Sequence, residues 1–174
     1  MYIAASIDGF IARSDGDIEW LHNPEYESKD KPGLTYEEFI STVDAIVMGR
    51  NTFKKVLTFG FWPYEGTPVV VLTNRKLTMP EDLQEKVRIE KGSPIEIVSG
   101  LASEGKKHLY VDGGKTIQRF LRERLIDEIT ITWIPILLGN GIPLFDSNRP
   151  ELHLTHLETT TTGNGFIQTR YRVK

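Results

Sequence analysis

His108-Leu-Tyr-Val-Asp-Gly-Gly-Lys-Thr-Ile-Gln-Arg-Phe-Leu121 changes character part-way along. Leu109-Tyr-Val111 is a short apolar run of the kind that forms a buried strand, and it stops at Asp112-Gly113-Gly114. From there the pattern is helical, with Ile117, Phe120, Leu121 and Leu125 on one face. Strand, paired glycines, helix is an order that leaves the backbone N–H groups of the first helical turn open. Glycine has no Cβ, so a ligand can reach the main chain. The free N–H groups and the positive end of the helix dipole together favour a phosphate. Lys115 and Thr116 add a charge and a hydroxyl. The stretch reads as a seat for the pyrophosphate of a dinucleotide. Gly-Gly also suits a plain tight turn, and the Gly-x-Gly-x-x-Gly spacing is absent, so the neighbouring segments have to decide.

A second corner of the same kind lies upstream. Ala45-Ile-Val-Met48 is a short apolar strand that runs into Gly49, and a helix starts with Arg50, Asn51, Thr52 and Phe53. Pro68-Val-Val-Val-Leu-Thr73 has the β-branched composition of a parallel-sheet interior. It ends in Asn74-Arg75, at the carboxyl end of a strand, where open α/β sheets place ligands. Arg75 is a candidate for a ribose phosphate, or else a solvated loop arginine. Two glycine corners in one chain favour a phosphate-bearing ligand more than either does alone.

The remaining segments supply the frame. Tyr2 to Ile7 reads as a strand ended by Asp8-Gly9, and Phe10-Ile-Ala12 resumes beyond the turn. Residues 13–33 form a long polar loop in which Trp20 either pins the loop to the core or belongs to a functional cover. Thr35 and Glu38 match a capping box, opening a helix with Phe39, Ile40 and Val43 on one face. A modest helix is expected over 80–87, short strands at Val87-Arg-Ile89 and Ile95-Glu-Ile-Val98, and a weak helical turn near Leu101. Ile126 to Ile134 is a long strand, Pro135 to Phe145 a glycine-rich bend, and Asn164-Gly165 between two alternating runs marks a hairpin. The expected architecture is α/β: a mainly parallel central sheet flanked by helices, with an antiparallel C-terminal hairpin, in one domain over 1–174.

Bulk composition narrows the function. The chain has 174 residues, a formal net charge of -3 and no cysteine, which excludes disulfides, thiolate metal sites and a cysteine nucleophile. An acidic balance argues against a nucleic-acid partner. No signal peptide and no run of membrane-spanning length is read, so the expectation is a cytoplasmic protein without a membrane partner. The four histidines are scattered, and no metal site is expected.

Five motifs occur in a telling order: Ser6-Ile-Asp-Gly-Phe-Ile-Ala12, Val47-Met-Gly-Arg-Asn-Thr-Phe53, Leu72-Thr-Asn-Arg75, Val111-Asp-Gly-Gly114 and Leu138-Gly-Asn-Gly-Ile-Pro-Leu-Phe145. Jointly they resemble the dihydrofolate reductase-like superfamily, and within it the reductase domain of the riboflavin-biosynthesis deaminase-reductase and its stand-alone relatives. The resemblance implies NADPH. Gly49, Arg50, Asn51 and Thr52 would hold phosphates at one helix start, and Gly113, Gly114, Lys115 and Thr116 at the other, flanked by Asp112 and Ile117. Leu72, Thr73, Asn74 and Arg75 would surround the adenosine ribose, with Arg50 and Arg75 selecting the 2′-phosphate. Ala4, Ala5 and Ile11 would line the nicotinamide.

The implied substrate is a flat heterocycle of pyrimidine or pterin type, as for 5-amino-6-(5-phosphoribosylamino)uracil reductase. Its candidate contacts are Asp8, Trp20, Tyr36, Glu37, Phe39, Leu138 and Gly139, with Asp8 also read as a turn holder. Hydride transfer requires positioning more than acid–base groups, and no catalytic triad is expected. The family's dihydrofolate reductases carry an acid about sixteen positions before the Met-Gly-Arg glycine; here that position is Gly33, with Glu37 and Glu38 one turn later. Folate reduction by Glu37 or Glu38 is therefore an alternative, as is a non-catalytic NADPH-binding module. The apolar Ile126–Ile134 strand and hairpin, together with the resemblance, lead to the expectation of a homodimer.

Overall fold

Most of the apolar β-branched runs become strands, and the elements follow in chain order. They are β1 (Tyr2–Ser6), β2 (Phe10–Ala12), α1 (Tyr36–Ile40), β3 (Ala45–Gly49), α2 (Arg50–Val56) and β4 (Val69–Leu72). Then come β5 (Val87–Glu90), α3 (Pro94–Ser103), β6 (Leu109–Asp112), α4 (Gly114–Arg122), β7 (Glu128–Ile134), β8 (Ile142–Pro143), β9 (Leu154–Thr161) and β10 (Ile167–Val173). The computed structural model describes residues 1–26, 30, 33–147 and 150–174. The chain divides into two compact units, one of Met1–Phe39 with Ile126–Lys174 and the other of Ile40–Leu125.

The unit of Ile40–Leu125 is built on a wholly parallel sheet in the order β5-β4-β3-β6. Every residue of β4, and the first four of β3, is buried, as a sheet covered on both faces requires. Helix α4 turns Ile117, Phe120 and Leu121 inward, and α2 adds Phe53. Ile117, Phe120 and Leu121 are side chains that the helical spacing picked out, whereas Leu125, grouped with them, lies beyond the end of α4 and is half-buried. The order carries a functional consequence. From β3 the chain moves outward to β4 and β5, then returns to β6 on the other side of β3. The switch point therefore lies between β3 and β6.

The other unit holds a mixed sheet, β1-β7-β10-β9, in which β1 runs parallel to β7 and the remaining pairs are antiparallel. The hairpin predicted at Asn164-Gly165 is β9–β10, with Gly165 at a φ of +83°. A bulge leaves Leu157 unpaired between Glu158 and His156. A small antiparallel pair, β2 with β8, ties the glycine-rich bend to the β1–β2 turn.

Three expectations need correction. Ile95–Val98 is not a strand but the first half of α3, whose Ser93 and Glu96 form a capping box with Pro94 at the first helical position. The 80–87 segment holds one 3-10 turn, Glu81–Leu83, because Leu83 is its sole buried side chain there before β5. Helix α1 stops at Ile40, short of Val43, although the Thr35–Glu38 box is formed as expected. In the 13–33 loop, residues 27–29 and 31–32 lie outside the described residues; its described part holds two 3-10 turns and a Trp20 that is 5% exposed. Among the described residues, no helix is long and apolar enough to cross a membrane.

Candidate functional site

The carboxyl ends of β4, β3 and β6 finish level with one another. Gly49 pairs with Leu72, and Met48 with Asp112. Adjacent strands stand about 4.8 Å apart, so the three strand ends span roughly 10 Å. They carry, in sheet order, Thr73-Asn74-Arg75, Arg50-Asn51-Thr52 and Gly113-Gly114-Lys115-Thr116. The two glycine corners thus converge at the switch point of the sheet, the position where open α/β sheets bind ligands.

Their contact is intimate. A Cβ on Gly49 would stand 2.9 Å from Thr116 Oγ1. A Cβ on Gly113 would occupy the place of Thr52 Oγ1. Gly113 also sits at φ +86° and ψ 134°, a conformation that L side chains rarely adopt. Neither α2 nor α4 has a side-chain cap, since the residue before each helix is glycine. The first-turn N–H groups of α4 therefore point at whatever occupies the corner.

Charge follows the same edge. Arg50 is half-buried, and its Nε is buried without a hydrogen-bond partner. Arg75 and Lys115 are exposed and join no ion pair among the described residues. A chain of net charge -3 thus concentrates three cations at one sheet edge. The Thr73 hydroxyl accepts from the Arg75 N–H at 3.0 Å and closes the turn that presents Arg75. Asp112 Oδ1 accepts from the Gly113 N–H at 2.8 Å, which fixes the glycine turn. Burial raises the Asp112 carboxyl above its ordinary value, against the lowering effect of the Gly113 N–H and the Tyr110 hydroxyl. Leu72 and Ile117 are buried in the sheet and helix core, so they offer the site their backbone alone.

The candidate substrate and nicotinamide residues belong to the unit of Met1–Phe39 and Ile126–Lys174. Ala4 and Ala5 lie on β1 and Ile11 on β2. The structure brings Asp8, Leu138 and Gly139 together: Asp8 accepts from the Leu138 N–H at 3.2 Å and the Gly139 N–H at 2.7 Å, and from the Ser6 hydroxyl at 2.6 Å. Gly141 lacks a Cβ because Ala12 O and the Phe10 ring fill that space. Tyr36 and Phe39 pack on the Tyr2 ring at 6.0 and 4.8 Å. Glu37 is exposed, while Glu38 is engaged as the Thr35 cap. A side chain at Gly33 would displace the Thr160 hydroxyl, so an acid has no room there. Trp20 is buried with its indole N–H unpartnered.

One residue escaped sequence reasoning. Gln168, 2% exposed, accepts from the Leu34 N–H and donates to the Leu34 carbonyl, which fastens the entry to α1. Its position inside an apolar strand alternation carried no sign of that role.

The Asp8 junction predicts a pH dependence. The Ser6 hydroxyl, then the Gly139 and Leu138 N–H groups, hold the Asp8 carboxyl below the usual aspartate value. The folded value is below the unfolded one, so this contribution is complete above the ordinary aspartate value of ~3.9 and vanishes as pH falls through the depressed one. Asp8→Asn is expected to lower the melting temperature at neutral pH and to converge with the unaltered chain in acid. A gap that stays constant down to pH ~3 contradicts this linkage.

The chain is similar to several known proteins. The family model described as RibD C-terminal domain matches residues 1–168. The chain is 38% identical over 175 residues to the uncharacterized protein YwjB of Bacillus subtilis, covering 98% of this chain and 95% of that one. It is 27% identical over 176 residues to the riboflavin biosynthesis protein RibD of Aquifex aeolicus, covering 82% of this chain and 48% of that longer protein. A crystal structure from Shewanella sp. PV-4, named for riboflavin biosynthesis, matches with a TM-score of 0.91 at 40% identity, covering 99% and 97% of the two chains. The Thermotoga maritima diaminohydroxyphosphoribosylaminopyrimidine deaminase/5-amino-6-(5-phosphoribosylamino)uracil reductase matches with a TM-score of 0.73 at 18% identity, covering 99% of this chain and 55% of that one. That last likeness shows the fold.

Proposed function

Because the chain belongs to the RibD C-terminal domain family, we propose that it is an NADPH-dependent reductase of a pyrimidine- or pterin-type heterocycle. The observation that carries this reading is the pair of glycine corners meeting at the switch point beside an orphaned Arg50 Nε. The residues fit the cofactor: two positions where a Cβ is forbidden, uncapped helix starts and unpaired cations suit a phosphorylated dinucleotide. Gly49, Arg50, Asn51 and Thr52 would hold one phosphate, Gly113 to Thr116 the other, and Arg75 the 2′-phosphate. When bound, NADPH supplies a hydride. The protein contributes binding, orientation and exclusion of bulk water, and the one proton that must accompany the hydride would be drawn from solvent. For the heterocycle we assign Tyr36, Phe39, Trp20 and the Asp8–Gly139 bend.

The first test is affinity for NADPH against NADH, followed by oxidation of NADPH over a panel of pyrimidine and pterin substrates. Arg75→Ala is expected to weaken NADPH about tenfold and NADH little, the size of one charge-assisted contact. Failure to bind NADPH removes the reading. Binding without oxidation by any acceptor favours the non-catalytic module. Dihydrofolate reduction is a second reading for one reason: Glu37 is exposed and outside the Thr35 cap. Glu37→Gln would abolish dihydrofolate turnover if that reading holds.

A further inference from the structure

The glycine corners are related by an exchange that each corner alone does not explain. Gly113 has to be glycine for its backbone conformation, with φ at +86°. Gly49 does not: at φ -85° and ψ 161° it is extended backbone open to any residue. What keeps position 49 bare is the Thr116 hydroxyl, 2.9 Å from where a Cβ would stand. At position 113 the Thr52 hydroxyl fills the same volume. Each threonine lies three residues beyond its own glycine, in Gly49-Arg-Asn-Thr52 and Gly113-Gly-Lys-Thr116. The third residue of each helix therefore rests on the cap residue of the other helix. Thr116 is 5% exposed, so its hydroxyl has no open solvent to swing into, and Thr52 is half-buried.

We propose that Thr52 and Thr116, in addition to the phosphate contacts assigned above, form a reciprocal brace, holding the two glycine turns at one spacing so that the phosphates of a single dinucleotide are gripped together. The proposal rests on the NADPH reading above and adds to it a coupling between the two turns. Without the brace each turn would have to be ordered separately on binding, and that ordering opposes affinity. With it, the spacing exists before the ligand arrives. The brace also makes each glycine necessary on account of a residue in the other helix, which no single-turn motif does.

A double-mutant cycle on the full chain decides the matter, with Gly49→Ala, Thr116→Ala and both together. Two quantities are read: the melting temperature without ligand, and the NADPH dissociation constant from tryptophan fluorescence. Gly49→Ala alone is expected to weaken NADPH about tenfold, but only about threefold or less when Thr116 is already alanine. Gly49→Ala with Thr116→Ser, which keeps Oγ, is expected to remain as weak as Gly49→Ala alone. The melting temperatures are expected to show the same non-additivity. Equal losses in both backgrounds overturn the brace. Coupling in melting with additive losses in NADPH affinity overturns the positioning role, because the threonines then only pack. No NADPH binding by the unaltered chain overturns the dinucleotide reading itself, and the melting cycle then decides the brace independently.

Discussion

Alanine at position 113 is expected to weaken NADPH binding about a hundredfold, equivalent to about 2.7 kcal/mol, and to destabilise the fold as well. Two costs add there. The backbone at φ +86° and ψ 134° is strained for any L side chain, about 1–3 kcal/mol. The new methyl also collides with the Thr52 hydroxyl, and overpacking of this kind costs about 1–3 kcal/mol. Gly105 separates the two, since its φ is +81° and a Cβ there meets nothing within 4 Å. Gly105→Ala should therefore cost about 1 kcal/mol and leave NADPH affinity unchanged. The check is a urea unfolding curve beside an NADPH titration for each variant. A Gly113→Ala protein that binds NADPH as the unaltered chain does would detach the glycine corner from the cofactor altogether.

Gln168→Leu is expected to cost about 3 kcal/mol of stability, although leucine suits the strand better. The side chain is nearly isosteric, so the loss arises from the groups it abandons. The Leu34 N–H at 2.8 Å loses its partner, the Leu34 carbonyl at 3.0 Å loses one of its two donors, and Tyr2 Oη at 3.3 Å loses a donor. A polar group buried and left without a partner costs about 1–3 kcal/mol, and these part-buried ones together outweigh the apolar gain. Tyr2 keeps its own bond to the Leu34 carbonyl at 3.0 Å, which tempers the total. Hydrogen exchange locates the effect: the Leu34 amide should lose its protection before the strand amides of β10 do. A variant as stable as the unaltered chain would show that water replaces the amide without penalty.

These two residues differ in how far the sequence announces them. Gly113 could be read because a strand, a glycine pair and an amphipathic helix are all local patterns, and their chemical meaning is local too. That parallel strands would carry their ends to one edge was legible from alternating strands and helices, but that β6 lies directly beside β3 was not. Gln168 could not be read, since its partner Leu34 is 134 residues away. The reciprocal brace left a faint trace, Gly-x-x-Thr occurring at both 49–52 and 113–116, but the crossing of the two is a tertiary fact. The misread helix α3 has a different cause. Ile95-Glu-Ile-Val98 alternates like a strand over four residues, too few to separate the two periods. The Ser93-Pro94-Ile95-Glu96 start marks a helix, and it outweighs β-branched composition once both capping bonds form. The β2–β8 pair was missed because β8 is two residues long.

The unit of Met1–Phe39 and Ile126–Lys174 is interrupted by the whole of Ile40–Leu125, and this has a bearing on synthesis. Strand β1 leaves the ribosome with Tyr2–Ser6, while β7, against which it pairs, is not made until Glu128–Ile134. At about 5–20 residues per second, the delay is roughly 6–25 s. By the end of it, once β6 is complete at Asp112, the interrupting unit has every strand of its own parallel sheet and can collapse by itself. The early strand has none of its neighbours, and its unsatisfied backbone is open to any edge in the vicinity, including that of another nascent chain. The half assigned to the nucleotide is thus free to finish first, while the half assigned to the heterocycle waits for Ile126–Lys174.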